Sequence, residues 1–333
     1  MPLWYQHPPL LLALLLLVVG FVLLSRGADV LVDGAVALAR RFSLSPALIG
    51  VTVVAFGTSL PELVVSLGAN LKAVWAGESG VDGPAAIALA NIIDSNIFNI
   101  GIILGVIVLI KPLAVPPNTF RTDYPFLVLS LLLVVLASLP NADGQMVIVR
   151  WQGLVMLAAL IWFLIMAVRK GRITAEEATV PDSAAIGTAR SWFLVMTGIV
   201  LLSLGGELCL VGAVGLARGL GMGERVIGLT VVAFGTSLPE LVTGVQAARR
   251  GEAGIAIGNI IGSCLFNVLG VIALVAVIVP VPVHPGNLQW DYWWLGGLTL
   301  LLLPLMWTGR VLVRWEGGVL LVVSLLYMGL LLI

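Results

Sequence analysis

The chain has very few charged side chains, and this scarcity excludes a soluble globular protein. Only 10% of its 333 residues are Asp, Glu, Lys or Arg, whereas a soluble domain carries about 25%. Hydrophobic residues make up 60% of the chain, and the mean hydropathy is +1.14. Apolar stretches close to the ~20 residues that cross a bilayer recur from end to end. The sequence therefore predicts an all-α polytopic protein of the lipid bilayer.

The chain also lacks the residue groups that indicate several other functions. Its two cysteines, Cys209 and Cys264, provide neither a disulfide framework nor a zinc-binding spacing. Its two histidines, His7 and His284, lie beside prolines at the ends of apolar runs, where we expect neither a proton relay nor a metal ligand. Because the formal net charge is zero, nothing indicates nucleic acid as a partner. We expect no cofactor and no required protein partner.

Apolar runs and helix breakers divide the chain into ten predicted transmembrane helices. Their limits are 8–40, 45–74, 84–110, 124–140, 146–168, 188–217, 225–249, 253–279, 290–307 and 311–332. The first and sixth are too long for a perpendicular crossing, so we expect them to be tilted or bent. Twelve Lys and Arg residues fall in loops on one side, against four on the other, namely Lys72, Arg150, Arg218 and Arg225. Since positively charged loops stay in the cytoplasm, we expect a plasma (inner) membrane protein with both termini outside.

An internal repeat is the most informative feature of the sequence. The string TVVAFGTSLPEL occurs at 52–63 and again at 230–241, and ANIIDSNIFNI at 90–100 matches GNIIGSCLFNV at 258–268. Equivalent residues are thus 178 apart in the first string and 168 apart in the second. Five helices per copy is an odd number, which forces the copies into opposite orientations. We predict two inverted five-helix repeats, residues 1–168 and 188–333, joined by a short cytoplasmic linker at 169–187.

Each copy of the first string predicts a helix that breaks inside the membrane. Pro61 and Pro239 lack a backbone N–H and clash with the preceding turn, and a glycine lies four residues before each. Irregular backbone at membrane depth is tolerated where it lines a cavity or a bound ion. We therefore expect freed carbonyl groups around four residues, Ala55, Thr58, Ala233 and Thr236.

Glu62 and Glu240 place one carboxylate per copy at this depth, which indicates a cation site. A charge at the centre of a membrane helix costs about 2.5–3.5 kcal/mol to insert on translocon scales. Two such charges at equivalent depth would repel each other unless a cation lay between them. As an alternative, each glutamate could form a capping box with Ser59 or Ser237 and only restart the broken helix. Capping alone does not account for charges at the midplane.

The second string adds a polar stripe of oxygen-bearing side chains. Asn91, Ser95 and Asn99 are spaced by four residues in the third predicted helix, and Asn259, Ser263 and Asn267 repeat that spacing in the eighth, so each set lies on one helix face. Interhelical hydrogen bonding is one interpretation. We favour a cage in which Ser95, Asn99, Ser263 and Asn267 face the glutamates. Oxygen ligands suit Ca²⁺, and the same two charges could hold Na⁺.

Asp94 departs from the repeat, because its counterpart is Gly262. Two roles stay open for Asp94: a third site carboxylate, or a structural partner of Arg26. Arg26 could also neutralise Asp29, three residues along the first predicted helix.

The duplicated strings resemble the two repeats of the cation/calcium exchanger superfamily, above all its prokaryotic sodium/calcium exchangers. The resemblance implies that Ca²⁺ is exchanged for Na⁺ by alternating access, with the two long helices sliding against the other eight. It also implies a ligand set. Glu62 and Glu240 would be the central carboxylates, Thr58 and Thr236 would bind calcium through their carbonyls, and the sodium sites would comprise Ser59, Ser237, the carbonyls of Ala55 and Ala233, Ser95 and Ser263, with Asn99 and Asn267 at the remaining polar positions.

Other functions stay open beside this expectation. Some relatives carry an aspartate at a position matched by Asn99 or Asn267, so potassium co-transport is not settled, and a Ca²⁺/H⁺ antiporter is a second candidate. A channel would differ by passing Ca²⁺ without a counter-ion. An intramembrane enzyme with Ser59 or Ser237 as nucleophile would need a nearby base, and neither histidine is suitably placed, so we do not expect an enzyme.

Overall fold

The structure, a computed structural model, describes residues 8–76, 84–141, 143–171, 187–223, 227, 231 and 233–331. Arg225, Thr230 and most of the predicted linker, residues 172–186, lie outside these ranges. In the first half the helices are Leu10–Arg41, Pro46–Ile49, Ala55–Thr58, Leu60–Ala76, Pro84–Ile97, Leu104–Ile110, Tyr124–Ala137 and Arg150–Lys170. In the second half they are Thr188–Gly219, Ala233–Thr236, Leu238–Arg249, Ala253–Leu265, Ala273–Ile278, Tyr292–Trp307 and Arg314–Leu331.

Length and hydropathy identify the helices that could cross a membrane. Among the described residues six helices qualify: Leu10–Arg41, Leu89–Ile110, Thr119–Ala137, Arg150–Lys170, Thr188–Gly219 and Ala253–Ile278. A seventh is the pair Pro46–Thr58 and Leu60–Leu71, bent by 41°, if it is counted as one span. The helical membrane class predicted from the sequence is therefore confirmed, whereas the count of ten spans stays a prediction.

The first and second long helices, Leu10–Arg41 and Thr188–Gly219, have 32 residues each. At 1.5 Å per residue each is about 48 Å long, more than the ~30 Å hydrocarbon layer. They pack against each other at glycines that admit close backbone contact. A Cβ atom on Gly198 would lie 2.6 Å from the Leu31 nitrogen, and one on Gly27 would lie 2.8 Å from the Leu202 nitrogen. Such small residues let two membrane helices approach more closely than side chains would permit.

Several helices widen into π-helical turns, which the sequence patterns did not predict. These turns are Gly50–Val54, Phe98–Ile103, Thr119–Asp123, Phe266–Ile272 and Asn287–Asp291. Phe98 and Phe266, like Thr119 and Asn287, are 168 residues apart, so four of the five turns form two equivalent pairs across the halves. π-helical turns are rare and frequently occur at functional sites.

Two short strand pairs join the halves at the ends of the helices. We number the strands β1 (Leu113–Ala114), β2 (Val147–Ile148), β3 (Val281–Pro282) and β4 (Val311–Leu312). β1 pairs antiparallel with β4, and β2 pairs antiparallel with β3. Each pair thus takes one strand from each half. β1 and β3 follow the helices that carry the polar stripes, and β2 and β4 precede the last helix of their half.

Candidate functional site

The bent helix of the first half places Glu62 in the interior of the protein. Pro61 has no N–H for the Gly57 carbonyl, and the helix bends by 41° between Thr58 and Leu60. The release expected at Ala55 is wrong, because the Ala55 carbonyl still accepts a hydrogen bond from the Ser59 N–H at 3.1 Å and lies 3.3 Å from the Thr58 hydroxyl. The break is local and lies after Ala55, where proline removes one donor.

Glu62 and Glu240 come together from the two halves. Both side chains are fully buried, and the two carboxylates are close enough to repel each other electrostatically. The Ser59 hydroxyl of the first half donates to Glu240 Oε1 of the second half at 3.5 Å. The Glu240 carboxylate also interacts with the hydroxyls of Thr58 and Ser263. The structure therefore brings together one carboxylate from each half.

The capping-box alternative is not what the structure has. The Ser59 hydroxyl donates to Glu240 across the halves, and Ser237, the N-cap of helix Leu238–Arg249, makes no side-chain capping bond. In the described part of the chain, the Ser237 side chain therefore does not cap its own helix, and the Ser59 hydroxyl is directed at Glu240.

Several buried oxygens of this cluster have no hydrogen-bond partner among the residues that the structure describes. They are both carboxylate oxygens of Glu62, Glu240 Oε2, and the hydroxyl oxygens of Ser95 and Ser237. Burying a polar group without a partner costs several kcal/mol, and burying an unpaired charge costs more. The part of the chain that is described has no group of three or more His, Cys, Asp and Glu side chains that could hold a metal. A cation here would therefore be held by two carboxylates and neutral oxygens.

The polar stripe divides into structural and unsatisfied members. The Asn259 amide oxygen accepts from the Thr58 hydroxyl at 3.1 Å, and its nitrogen donates to the Glu240 carbonyl at 3.5 Å. For Asn259 the interhelical interpretation is therefore correct. Asn99 and Asn267 differ, because both lie in π-helical turns, are fully buried and keep amide atoms without a partner in the described ranges.

The remaining predicted ligands lie on the same elements. Ala55 and Thr58 begin and end the short helix before the first bend, and Ala233 and Thr236 begin and end its counterpart. The Thr236 side chain is buried, with 4% of its surface exposed. Ser263 lies 3.2 Å from the Thr58 hydroxyl. The structure thus brings both broken helices and both polar stripes to one region.

Sequence reasoning missed three buried polar residues near this cluster. Asn96 contacts the second half, because its amide nitrogen donates to the Cys264 carbonyl at 3.2 Å and its oxygen accepts from the Asn267 amide at 3.0 Å. Ser66 and Asn70 follow Glu62 at intervals of four residues, and both are buried with an oxygen unpartnered in the described residues. The spacing from Glu62 would have identified Ser66 and Asn70.

Asp94 and Asp29 have partners that neither sequence alternative named. Asp94 Oδ1 lies 2.9 Å from the Tyr327 hydroxyl, which also lies 3.0 Å from Asp291 Oδ1. Asp29 accepts hydrogen bonds from Arg250 and Gln246, and Arg250 also pairs with Asp33. The partners of Asp29 come from more than 200 residues away in the sequence, so local spacing could not indicate them.

Comparison with known proteins identifies similar chains over most of the length. A family model described as sodium/calcium exchanger protein matches residues 12–169 and 190–333. The chain is 36% identical over 293 residues to the inner membrane protein YrbG of Escherichia coli, covering 85% of each chain. It is 28% identical over 340 residues to the sodium/calcium exchanger MaX1 of Methanosarcina acetivorans, covering 92% of this chain and 94% of that protein. The solved structure of the sodium/calcium exchanger from Methanococcus jannaschii matches with a TM-score of 0.77 and 31% identity, over 96% of this chain and 99% of that one.

Proposed function

Because the chain belongs to the sodium/calcium exchanger protein family, we propose that it is a secondary antiporter that exchanges Ca²⁺ for Na⁺ across the plasma membrane by alternating access. The observation that carries the proposal is the buried pair Glu62 and Glu240, whose carboxylates meet from the two halves with three of four oxygens unpartnered among the described residues. Two negative charges balance one Ca²⁺, and the same charges balance two Na⁺. No cofactor takes part in the proposed exchange.

The proposed ligands surround the carboxylate pair. Glu62 and Glu240 bind Ca²⁺ together with the carbonyls of Thr58 and Thr236. Sodium takes the hydroxyls of Ser59, Ser237, Ser95 and Ser263 and the carbonyls of Ala55 and Ala233. The amide oxygens of Asn99 and Asn267 complete the cage around either bound cation. Oxygen ligands of this kind, in a flexible arrangement, suit Ca²⁺ with its 6–8 ligands at ~2.3–2.6 Å.

The proposed topology is ten spans in two inverted repeats, residues 1–168 and 188–333, with both termini outside. This topology is supported by contacts that occur twice, the second time between the equivalent residues with the two halves interchanged. Phe56 packs on Phe266, and the equivalent residues in the opposite halves, Phe234 and Phe98, pack on each other. The strand pairs follow the same rule: β1 is equivalent to β3 and β2 to β4, so interchanging the halves turns the pair β1–β4 into the pair β3–β2. Such exchange is expected of two copies related by a twofold axis.

The charge of the pair explains why transport would require exchange. An empty site would carry two uncompensated carboxylates through the occluded state, where no water reaches them, and burying unpaired charge is strongly unfavourable. Binding of one Ca²⁺ or of Na⁺ neutralises the pair and permits the change of access. Each ion therefore crosses only as the other returns, which distinguishes an exchanger from a channel.

Calcium uptake into liposomes tests this function. Purified protein in sodium-loaded vesicles should accumulate radiolabelled calcium when external sodium is removed, and collapsing the sodium gradient should stop the uptake. Calcium uptake driven by a pH gradient in the absence of sodium would indicate the Ca²⁺/H⁺ alternative, and a dependence of uptake on added potassium would indicate potassium co-transport. Uptake that proceeds equally without any counter-ion gradient would identify a channel and overturn the proposal.

A further inference from the structure

Asn96 lies where the two halves of the protein meet. Its side chain is 2% exposed, and its amide nitrogen donates to the backbone carbonyl of Cys264 at 3.2 Å. The Cys264 thiol in turn lies 3.9 Å from the Asn96 carbonyl. Cys264 is the residue equivalent to Asn96 in the second half, 168 positions along the chain. The contact is therefore reciprocal, with an amide on one side and a thiol on the other.

The Cys264 carbonyl determines which way two amide groups point. A backbone carbonyl only accepts hydrogen bonds, so Asn96 must turn its NH₂ group towards Cys264 and its oxygen towards Asn267. The Asn267 amide must then turn its own NH₂ group to Asn96, and the nitrogen–oxygen distance is 3.0 Å. The Asn267 oxygen is left pointing elsewhere, fully buried and without a partner in the described part of the chain.

The equivalent amide in the first half has no such constraint. Asn99 has neither its nitrogen nor its oxygen hydrogen-bonded within the described ranges. The group beside its amide is the Cys264 thiol, whose sulfur is a weaker hydrogen-bond acceptor than a carboxamide oxygen. The Asn99 amide is therefore held less firmly in one orientation than the Asn267 amide.

We propose that Asn96 is a positioning residue that holds the Asn267 amide with its oxygen, and not its NH₂ group, available to the transported cation. An amide oxygen binds Ca²⁺ or Na⁺, whereas an NH₂ group repels either ion. The two halves then differ in role, because in the described part of the chain a carboxamide holds the Asn267 amide, whereas a thiol lies beside the Asn99 amide. This inference rests on the proposed function, since it assigns the cation as the group that the Asn267 oxygen meets.

The first test replaces Asn96 by Ala. Equilibrium binding of radiolabelled calcium to the purified protein should weaken by about two- to tenfold, the effect of losing one neutral hydrogen bond. In liposomes the half-saturating ion concentration should rise by a similar factor, with a smaller change in maximal rate. Asn118→Ala is the matched control, because it also removes an amide that donates to a backbone carbonyl, that of Lys170 at 3.0 Å, but on the exposed surface. The control should bind calcium like the wild type.

The second test moves the amide from one half to the other. In the wild type, Asn267→Ala should weaken calcium binding more than Asn99→Ala does. In the double variant Asn96→Cys with Cys264→Asn, this order should reverse, because the transferred amide now accepts from Asn99. Nonspecific damage to packing would not exchange the sensitivities. If Asn96→Ala does not fold, Cys264→Asn alone still tests the inference. Its added amide should hold Asn99, so Asn99→Ala should weaken calcium binding more in that background than in the wild type.

The possible outcomes separate the inference from the proposed function. Unchanged calcium binding in Asn96→Ala, or an order of sensitivities that does not reverse, overturns the role of Asn96 while sodium-driven exchange by the wild type still supports the exchanger. A wild type that binds calcium without exchanging it overturns the function but leaves the binding comparisons decisive for Asn96. A wild type that does not bind calcium overturns both.

Discussion

Replacing Glu62 by Gln tests whether the buried carboxylate pair binds the transported cation. Glutamine keeps the shape of the side chain and one oxygen but removes the charge. Both Glu62 oxygens lack a partner among the described residues, so the substitution breaks no protein hydrogen bond seen there. A polar interaction with a charged group contributes about 1.5–3 kcal/mol, and we take this as the scale of the loss when the Glu62 charge is removed. Calcium binding should therefore weaken by about 10- to 150-fold, and sodium-driven calcium uptake should be lost.

The same substitution should stabilise the protein when no cation is bound. Glu62 is fully buried beside the like charge of Glu240, and a charge at membrane depth costs about 2.5–3.5 kcal/mol on translocon scales. Removing it relieves part of that cost, so the ion-free variant should unfold at a higher temperature than the ion-free wild type. A loss of function accompanied by a gain in stability is the expected signature of a binding site.

Thermal unfolding in calcium and in a chelator measures both effects. Calcium at 100 times the dissociation constant of the wild type stabilises its native state by about 2.7 kcal/mol. For a variant that binds about 100-fold more weakly, the same concentration equals its dissociation constant and stabilises it by about 0.4 kcal/mol. Calcium should thus raise the unfolding temperature of the wild type much more than that of Glu62→Gln.

Glu316→Gln is the matched control for this experiment. Glu316 is buried and accepts from the Val313 N–H at 2.8 Å. At the corresponding place in the first half, Gln152 accepts from the Val149 N–H at the same distance, so glutamine already serves in this role. Glu316→Gln should bind calcium normally. If Glu62→Gln also binds calcium normally, or is less stable than the wild type in chelator, the assignment of the carboxylate pair is wrong.

Two further substitutions test the packing around the site. Gly198→Ala should destabilise the protein by about 1–3 kcal/mol, because its Cβ would lie 2.6 Å from the Leu31 nitrogen. Gly297→Ala, with no atom within 4 Å of its Cβ, should unfold at or slightly above the wild-type temperature, because alanine favours a helix interior over glycine. Equal unfolding temperatures for the two variants would contradict the close helix contact. Tyr327→Phe should cost about 1–3 kcal/mol in unfolding free energy, because it removes the hydroxyl between Asp94 and Asp291, and wild-type stability would show that the hydroxyl is not needed there.

Local chemistry explains what could be predicted from the sequence. A proline removes one N–H and clashes with the preceding turn wherever it occurs in a helix, so the bend before Glu62 follows from the residues alone. The two carboxylates could be predicted to meet because the strings that contain them are duplicated. Neither inference needs knowledge of how distant helices pack.

Residues with identical local patterns nevertheless have different roles in the structure. Asn259 and Asn267 belong to one polar stripe, yet Asn259 uses its amide to join helices, whereas the Asn267 oxygen has no hydrogen-bond partner among the residues that the structure describes. The difference comes from the partners that the other half supplies and from the π-helical turn that contains Asn267. Both depend on tertiary packing, which the spacing of residues does not encode.

Long-range ion pairs were beyond prediction for the same reason. Asp29 and Arg26 are three residues apart and could pair on a helix surface, but Asp29 instead pairs with Arg250, which also reaches Asp33. The three partners are partly exposed, where an ion pair contributes about 1 kcal/mol or less. A weak preference of this kind leaves no trace in composition or periodicity.

The glycines of the long helices have a consequence for how force is transmitted through the molecule. Between Gly198 and Leu31 backbone faces backbone, and two such surfaces cannot be displaced by part of a turn without a collision. For Gly57 and Gly235, beside the two helix breaks, the atoms nearest to an added Cβ are side-chain atoms of Ile199 and Leu210, and side chains reorient within nanoseconds where space permits. We therefore expect the two long helices to tilt as one unit, because their mutual contact is rigid and their contacts beside the two breaks are deformable.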